Sequence, residues 1–346
     1  MKLSVVINNY NYGRYLKQCI QSVLDQTQPF DEVIVVDDGS TDDSRELIAE
    51  FKDRITPILQ PNGGQAAALN AGYNASSGDL VLFLDADDFL ELTACAHILS
   101  AWRDNFAKLQ YRLKVVDNDS VHIGELPMPS LPLPTGNALG TLITDGRYGS
   151  MPTSANVYRR TALEHIMPIP AEEFRISADL FINIKIVRHG ELGAIEDTLG
   201  AYRVHGKNQF KTGSLITLDT QQLTNRVRSH FQRSQLVAEE AKRSGRDTPP
   251  SIYFSIPGWI DRIIAFRLNL QTPAGETATR TELKHDFHTS LEHKQRTSSL
   301  LKACAEITGS LLLYCPVWFI KLLGWLESVT PQAIKRIPYR LLGVAF

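Results

Sequence analysis

The chain has 346 residues, 43% of them hydrophobic and 21% charged, which is long enough for one large domain or a core domain with an appended piece. A formal net charge of -2 gives no basic excess, so no nucleic-acid partner is expected. The four cysteines are scattered without a C-x-x-C pair, which argues against a zinc site or a disulfide framework. Because the N-terminus begins directly with a strand pattern and shows no signal peptide, we expect a cytoplasmic protein.

The first ninety residues alternate short apolar runs with longer mixed segments. The elements predicted from this pattern are a strand at 3–7, a helix at 15–25, a strand at 33–36, a helix around 47–51, a strand at 55–59, a helix at 65–75 and a strand at 80–84. This order predicts an α/β fold, in which a parallel sheet is covered by helices on both faces. The ligand site of such a sheet lies at the carboxyl ends of its strands.

After residue 110 the rhythm of the sequence changes. Residues 111–123 indicate a hairpin with a polar turn, and four prolines within 127–134 predict an irregular loop over the site. A helix is predicted around 178–189, and a closing strand is predicted at 195–204. Residues 213–300 are rich in charge and mostly helical by pattern.

The tail from 307 to 346 has a different composition. The stretch 310–325 carries one charge, Lys321, and its apolar run is shorter than the ~20 residues of a spanning helix. Its tryptophans and the nearby cations fit a helix that lies in a membrane interface. A core helix of a small helical subdomain would show the same pattern, so both interpretations stay open.

Acidic residues directly follow two of the predicted buried strands. Asp37 and Asp38 come after the second strand, and Asp85 and Asp87 come after the fourth, in the sequence Asp-Ala-Asp-Asp. Buried carboxylates are costly unless something pairs with their charge. A tight Asp-x-Asp turn brings two carboxylates nearly to one point, which suits a hard cation such as Mg²⁺ or Mn²⁺ that also binds phosphate oxygens.

Two neighbouring features have simpler explanations. Aspartates at helix starts cap the helix and favour its macrodipole, and we favour that interpretation for Asp42 and Asp43. The glycine-containing segment 60–65 precedes a helix, where glycines permit close backbone approach and the helix N-terminus favours an anion. An ordinary turn between a strand and a helix would have the same sequence.

Five motifs stand in a fixed order over residues 3–90. They are Val5-Val6-Ile7-Asn8-Asn9-Tyr10-Asn11, then Cys19 to Thr27, then Val33 to Asp42, then Asn62-Gly63-Gly64 with Asn70, and finally Leu82-Phe83-Leu84-Asp85-Ala86-Asp87-Asp88. Together they closely resemble the family-two inverting glycosyltransferases of GT-A fold, and a looser resemblance extends over 145–209. The resemblance implies a GT-A domain at 1–212, with a Rossmann-like mixed sheet flanked by helices. A mainly helical region at 213–346, which the resemblance does not cover, would follow it.

The resemblance also implies which residues contact the nucleotide sugar. The matching positions are Asn8, Tyr10, Asp38, Asn62, Gly63, Asn70, Asp85 and Asp87. Among them, Asp38 corresponds to the carboxylate that accepts a hydrogen bond from a pyrimidine N–H. Asn8 and Tyr10 match the loop that lines the base, and Asn70 matches a donor-side position on the third helix.

A divalent cation, Mn²⁺ or Mg²⁺, is the cofactor that the resemblance implies. Asp85 and Asp87 match the Asp-x-Asp motif, with Asp87 the expected direct ligand. The segment Tyr202-Arg203-Val204-His205 resembles a late family motif whose histidine can join the metal or the diphosphate. A lone histidine can equally be structural, so both roles remain open for His205.

The general base of the family usually belongs to a Glu-Asp pair on a helix across the sheet. The matching segment here is Ser177-Ala178-Asp179, where alanine replaces the glutamate. We therefore predict Asp179 as the base. The alternative is an N-cap aspartate of the helix that follows.

The resemblance implies an enzyme that inverts the anomeric centre while transferring a sugar from a nucleotide-diphosphate sugar. A UDP-sugar is favoured because a carboxylate fits the N–H of uracil or thymine, although guanine also offers such an edge. The expected acceptor is a saccharide or a lipid-linked saccharide, in polysaccharide or glycoconjugate biosynthesis. A peripheral location on the inner face of the membrane would accord with the apolar tail.

Two other kinds of protein fit part of this sequence. A nucleotidyltransferase can share such a sheet and an aspartate pair, but it relies on a glycine-rich, basic phosphate loop near the first strand. The segment Asn8-Asn9-Tyr10-Asn11 is not such a loop. A non-catalytic nucleotide-sugar binding protein could retain the fold, and the alanine at position 178 leaves that possibility open.

Overall fold

The computed structural model describes residues 1–205, 219–247, 256–268, 270, 282–285, 287 and 312. They divide into two compact units, one with 1–139 and 149–205, the other with 140–148 and the described residues from 219 onward. The predicted boundary at 212/213 and the apolar tail at 307–346, except Leu312, lie outside the described residues. The boundary between a catalytic domain and a helical region therefore remains a prediction.

Regular elements follow one another closely through the first 205 residues. They are, in chain order, β1 (Leu3–Asn9), α1 (Gly13–Leu24), β2 (Glu32–Asp38), α2 (Ser44–Glu50), β3 (Thr56–Gln60), α3 (Gln65–Ala75), β4 (Leu80–Asp85), β5 (Phe89–Leu90), α4 (Ala94–Ala101), β6 (Phe106–Val116), β7 (His122–Leu126), α5 (Leu139–Asp145), β8 (Asn156–Arg159), α6 (Arg160–Leu163), α7 (Ala178–Ile186) and β9 (Glu191–Arg203). The predicted alternation of strands and helices over the first ninety residues is confirmed. The observed elements differ from the predicted ones by a few residues at their ends.

The strands form one mixed sheet in the order β3-β2-β1-β4-β8-β6-β9-β5, with β7 paired to β6. The first four strands along the chain run parallel, whereas β8 runs antiparallel to both β4 and β6. The centre of the sheet is dry, since Val5, Ile7, Leu82 and Leu84 are fully buried. Strands covered on both faces by helices need such continuous apolar runs, which is why the sequence pattern located them.

Helix α3 packs closely against β1 because its inner face carries small residues. Ala66 and Ala68 are buried there, and a Cβ added to Gly72 would lie 2.1 Å from Cγ1 of Val6. This close approach holds α3 against β1. The first residue of the helix, Gln65, lies within hydrogen-bonding distance of Asp85 at the carboxyl end of β4.

Replacing Gly72 with Ala should lower the free energy of unfolding by about 1–3 kcal/mol, because a methyl group must enter a fully packed contact. Urea denaturation of the two proteins measures the difference. Gly124→Ala is the matched control, since a Cβ at Gly124 lies 4.0 Å from that of Val115, an ordinary contact. Equal stability of Gly72→Ala and the wild type would show that α3 and β1 can separate at little cost.

The predicted hairpin is confirmed, with β6 and β7 antiparallel on either side of a turn. The proline-containing loop that follows is irregular, as expected, and is held at Arg112. The Arg112 guanidinium donates to the carbonyl oxygens of Pro127 and Leu131, at 3.3 and 2.9 Å, and pairs with Glu196. These contacts tie the loop to β6 and β9.

The second unit is helical over its described part, as predicted. Helix α8 (Thr220–Arg243) has Asp219 as its N-cap, and the Asp219 carboxylate accepts hydrogen bonds from the backbone N–H groups of Gln221 and Gln222. It packs against α9 (Ile256–Arg267) through an apolar core that includes Leu223, Trp259 and Ile263. None of the described helices is both long and apolar enough to cross a bilayer.

Candidate active site

Three parallel strands bring polar side chains to one edge of the sheet. In the strand register Asn8 of β1 pairs with Asp85 of β4, and Asn9 pairs with Asp37 of β2. The two acidic segments that the sequence singled out therefore flank the end of β1. This is where the ligand site of an open α/β sheet is expected.

Asp37 and Asp38 of the acidic doublet have different partners. Burial raises the pKa of Asp37, but hydrogen bonds from Ser40, Arg45 and Asn9 outweigh it and hold the pKa below its usual value. Asp37 is thus a structural anchor that fixes the loop after β2. Asp38 faces the other way, toward the loop that precedes α3.

The Asp38 carboxylate accepts three hydrogen bonds from that loop. The donors are Gln60 Nε2 at 2.7 Å, Gly63 N at 2.8 Å and Gly64 N at 2.7 Å. A carboxylate offers about four lone-pair directions, so one remains for another donor. The glycine segment thus serves to hold Asp38, a role that its sequence alone did not reveal.

The same loop depends on glycines at two close approaches. Gly64 has φ +87°, and a Cβ there would lie 2.6 Å from the carbonyl oxygen of Arg175. Gly39 has φ +78°, and a Cβ there would lie 2.6 Å from the backbone nitrogen of Asn62. Both positions need a residue without a side chain, because the left-handed backbone and the crowding coincide.

A group of three aspartates lies at the end of β4. Asp85 Oδ1 accepts a hydrogen bond of 2.8 Å from Asn8 Nδ2, and Asp88 accepts from Ser154 Oγ at 2.6 Å and from Arg203 N at 2.9 Å. Removal from water, followed by the charge of Asp87, raises the pKa of both Asp85 and Asp88. The group thus concentrates negative charge at a buried place in the sheet.

This donor set fits a hard divalent cation. Mg²⁺-type sites commonly use one or two carboxylates and complete their shell with water and substrate phosphates. Among the described residues, no three acidic, histidine or cysteine side chains are arranged as a finished metal cage. Asp85 and Asp87 would supply the carboxylates, and a bound cation would offset their mutual repulsion, which adds to the effect of burial in raising the pKa of Asp85.

His205 reaches the acidic group from the end of the sheet. Its Nε2 lies 2.9 Å from Asp87 Oδ2, and its ring stacks on Tyr15 and meets the edge of Tyr12, with centroid distances of 5.4 and 5.5 Å. The side chain is 3% exposed. The structure therefore brings His205 into contact with Asp87, and this contact fits both a structural role and a metal-side role for the histidine.

Arg203, two residues before the histidine, is a structural residue that the sequence interpretation left without a role. It is 1% exposed, and its Nε donates to the carbonyl oxygen of Asp87 at 2.9 Å. Its guanidinium also donates to Gln18 of α1 at 2.7 Å and lies 4.6 Å from the ring centroid of Tyr15. Arg203 therefore fixes the backbone that carries the metal-site candidates.

Asp179 lies in the first turn of α7 and is half-buried. The N-cap of α7 is Ser177, so the alternative of Asp179 as an N-cap residue is wrong. The charge of Asp179 contributes to the raised pKa of Asp85, which places both carboxylates within electrostatic reach. Ala178, where the family resemblance expects a glutamate, is fully buried.

Gln65, the first residue of α3, connects the acidic group at the end of β4 with the start of α7. Its Oε1 accepts a hydrogen bond from Ala178 N at 3.0 Å, and its Nε2 donates to Asp85 Oδ1 at 3.2 Å. No sequence pattern singles out this glutamine, since its two partners lie 113 and 20 residues away along the chain.

A buried lysine beneath α7 also escaped the sequence interpretation. Lys108 Nζ donates to Asn183 Oδ1 at 3.0 Å and to Ser150 Oγ at 3.2 Å. Burial lowers the pKa of this lysine to about 7, against the opposing charge of Asp179. Asn183 lies one turn after Asp179, so Lys108 supports the helix that carries the candidate base.

The remaining predicted residues lie around this group. Tyr10 is 46% exposed and Asn62 is exposed, its side-chain oxygen contacting the guanidinium of Arg175. Asn70 exchanges two hydrogen bonds of 2.8 Å with the backbone of Ile169. Both polar atoms of Asn70 are engaged by that segment, so its effect on a donor would be indirect.

Comparison with known proteins assigns this chain to a family. The model of "Glycosyl transferase family 2" matches residues 4–167. An uncharacterized glycosyltransferase of Nostoc sp. (strain PCC 7120) is 36% identical over 222 residues, covering 63% of this chain and 69% of that protein. The chain belongs to glycosyl transferase family 2, and it is a glycosyltransferase. The family resemblance found in the sequence is thereby confirmed.

Other similarities are shorter or limited to the fold. The glycosyltransferase GlyA of Streptococcus pneumoniae is 44% identical over 93 residues, which cover 26% of this chain and 13% of GlyA. The crystal structure of S. aureus TarS 1–349 with UDP superposes with a TM-score of 0.51 at 18% identity, over 90% of each chain. This likeness confirms the predicted GT-A fold, with its mixed sheet flanked by helices.

Proposed function

We propose that the protein transfers a sugar from a nucleotide-diphosphate sugar to a hydroxyl group of a saccharide or a lipid-linked saccharide, with inversion at the anomeric carbon. The observation that carries this proposal is that Asp38, Asp85 and Asp87 lie at or just after the ends of the two strands flanking β1, with Asp179 of α7 within electrostatic reach of Asp85. Such a transfer needs three groups in the protein: one that binds the nucleobase, one that binds the diphosphate, and a general base.

The donor end of the site is assigned to Asp38 and the loop that holds it. The free lone-pair direction of Asp38 suits the N–H of a pyrimidine, and Asn8 and Tyr10 would line the base. UDP is the favoured carrier, which accords with the UDP and UDP-GlcNAc complexes of TarS. Asn62 and Gly63 would lie beside the nucleotide, and Asn70 would act by holding the segment at Ile169.

The diphosphate is assigned to the acidic group. Asp87 and Asp85, with His205, would hold Mn²⁺ or Mg²⁺, which supplies Lewis-acid stabilisation of the departing diphosphate. A cation there also offsets the repulsion between the carboxylates and the phosphates. The role of Arg203 is to keep the backbone at Asp87 fixed.

Asp179 would be the general base. As the acceptor oxygen forms a bond to the anomeric carbon, its proton passes to a carboxylate oxygen of Asp179, and the bond to the diphosphate oxygen breaks. A positioned base of this kind contributes typically 10²–10⁴-fold in rate. The rest of the acceleration would come from holding the donor and the acceptor in line.

The stereochemistry of the product tests this mechanism. Proton NMR of the first-formed product, with a panel of UDP-sugars and saccharide acceptors, should show the anomeric configuration opposite to that of the donor. One direct displacement inverts the centre once. A product with the donor's configuration would exclude the single displacement and the role of Asp179 that depends on it.

A further inference from the structure

Helix α7 lacks a cap of its own. Its N-cap residue, Ser177, has φ +65° and makes no capping hydrogen bond with its side chain. The first backbone N–H groups of a helix need acceptors from outside the helix. The N–H of Ala178 finds one in Oε1 of Gln65, a side chain from a different helix.

Gln65 is well suited to hold this position. Its own backbone N–H donates to the carbonyl oxygen of Arg175 at 2.9 Å, just before α7, so α3 and the segment leading into α7 are joined twice. The other end of the same amide donates to Asp85 Oδ1 and approaches Thr153 Oγ1 at 3.5 Å. A single rigid amide thus spans the acidic group and the start of the helix that carries Asp179.

We propose that Gln65 is a positioning residue that sets the separation between the diphosphate side of the site and the base. The inference rests on the proposed function, in which Asp85 belongs to the donor end and Asp179 takes the proton. A misplacement of 1 Å between reacting groups can cost about 10²-fold in rate. Gln65 fixes this separation without touching the reacting atoms.

Two substitutions separate the two ends of the amide. Gln65→Leu removes both the acceptor for Ala178 N–H and the donor to Asp85. Gln65→Glu keeps an acceptor for Ala178 N–H but loses the donor and places a carboxylate beside Asp85. Gln221→Leu, at an exposed position of α8, is the matched control.

Hydrogen exchange followed by mass spectrometry reports on the helix end without requiring turnover. In Gln65→Leu, amides at the start of α7 should exchange about five to tenfold faster, the effect of losing one hydrogen bond. In Gln65→Glu and in Gln221→Leu they should exchange as in the wild type. Unchanged exchange in Gln65→Leu would overturn the proposal.

Steady-state kinetics completes the test. For Gln65→Leu, kcat should fall about 10–100-fold, because the start of α7 moves, while the donor KM stays within about threefold, because the loop holding Asp38 and the Asp85 carboxylate with its bond from Asn8 are retained. A wild-type kcat together with faster exchange would overturn the positioning role. Failure of the proposed function looks different, since the wild type itself would then transfer no sugar from any nucleotide donor, and the inference would fall with it.

Discussion

Replacing Asp179 with Asn is expected to lower the rate of sugar transfer by about 10²–10⁴-fold, the usual contribution of a general base. Asparagine has nearly the same shape but cannot accept the acceptor's proton. Because Asp179 does not belong to the nucleotide loop, affinity for the nucleotide should be unchanged. The measurements are kcat with saturating donor and acceptor, and nucleotide affinity by calorimetry.

Asp104→Asn is the matched control for this substitution, since the side chain of Asp104 is 93% exposed and lies outside the acidic group. It should transfer sugar at the wild-type rate. If Asp179→Asn also transferred at that rate, the base would have to be another residue. If Asp179→Asn lost nucleotide affinity by as large a factor as it lost transfer rate, Asp179 would instead belong to the donor side of the site.

Asp179 is the only carboxylate that this segment retains, since Ala178 has no group that can take a proton. Position 178 is fully buried, and a glutamate there would be a charge removed from water. Alanine avoids that cost, and its backbone N–H donates to Oε1 of Gln65. The departure from the family's Glu-Asp pair is therefore accommodated structurally, with the carboxylate retained at the half-buried position 179.

The second large effect is expected for Asp87→Asn. Loss of an outer-shell partner of a metal ligand typically costs 10–100-fold in metal affinity or activity, so loss of a direct ligand should cost at least about 100-fold. The substitution also removes the charge that faces His205 at 2.9 Å. Titration of transfer activity with Mn²⁺ should show a much higher half-saturating concentration.

Excess metal separates two origins of that loss. If Asp87 binds the cation, high Mn²⁺ should restore part of the activity of Asp87→Asn, whereas Asp104→Asn should respond as the wild type does. Full activity of Asp87→Asn without added metal would contradict the assignment of Asp87. Circular dichroism of each variant would establish that the fold is retained.

The sequence predicted the part of the fold that depends on local pattern. Strands β1, β2 and β4 contain continuous buried apolar runs, so their positions and the location of Asp38, Asp85 and Asp87 at the strand ends followed directly. The antiparallel insertion of β8 between β4 and β6 was not foreseen. Its partners are set by contacts distant in sequence, which no local pattern reports.

The contacts of the site were predictable only in part. The backbone N–H of Arg203 donates a hydrogen bond to Asp88, 115 residues away, and Gln65 accepts one from Ala178, 113 residues away. Neither role could be assigned from sequence spacing. Lys108 has the sequence signature of an ordinary strand lysine, although it is fully buried. Polar residues whose partners come from other elements need the tertiary structure before they can be assigned.

Thermal unfolding with nucleoside diphosphates tests most directly whether this edge of the sheet is a nucleotide-sugar site. UDP, dTDP, GDP and CDP should each be measured with and without Mn²⁺. We predict that UDP stabilises the protein and that this stabilisation requires Mn²⁺. A ligand at 100 times its Kd that binds only the native state adds about 2.7 kcal/mol to the free energy of unfolding. No stabilisation by any of the four would contradict the account and favour a fold retained without donor binding.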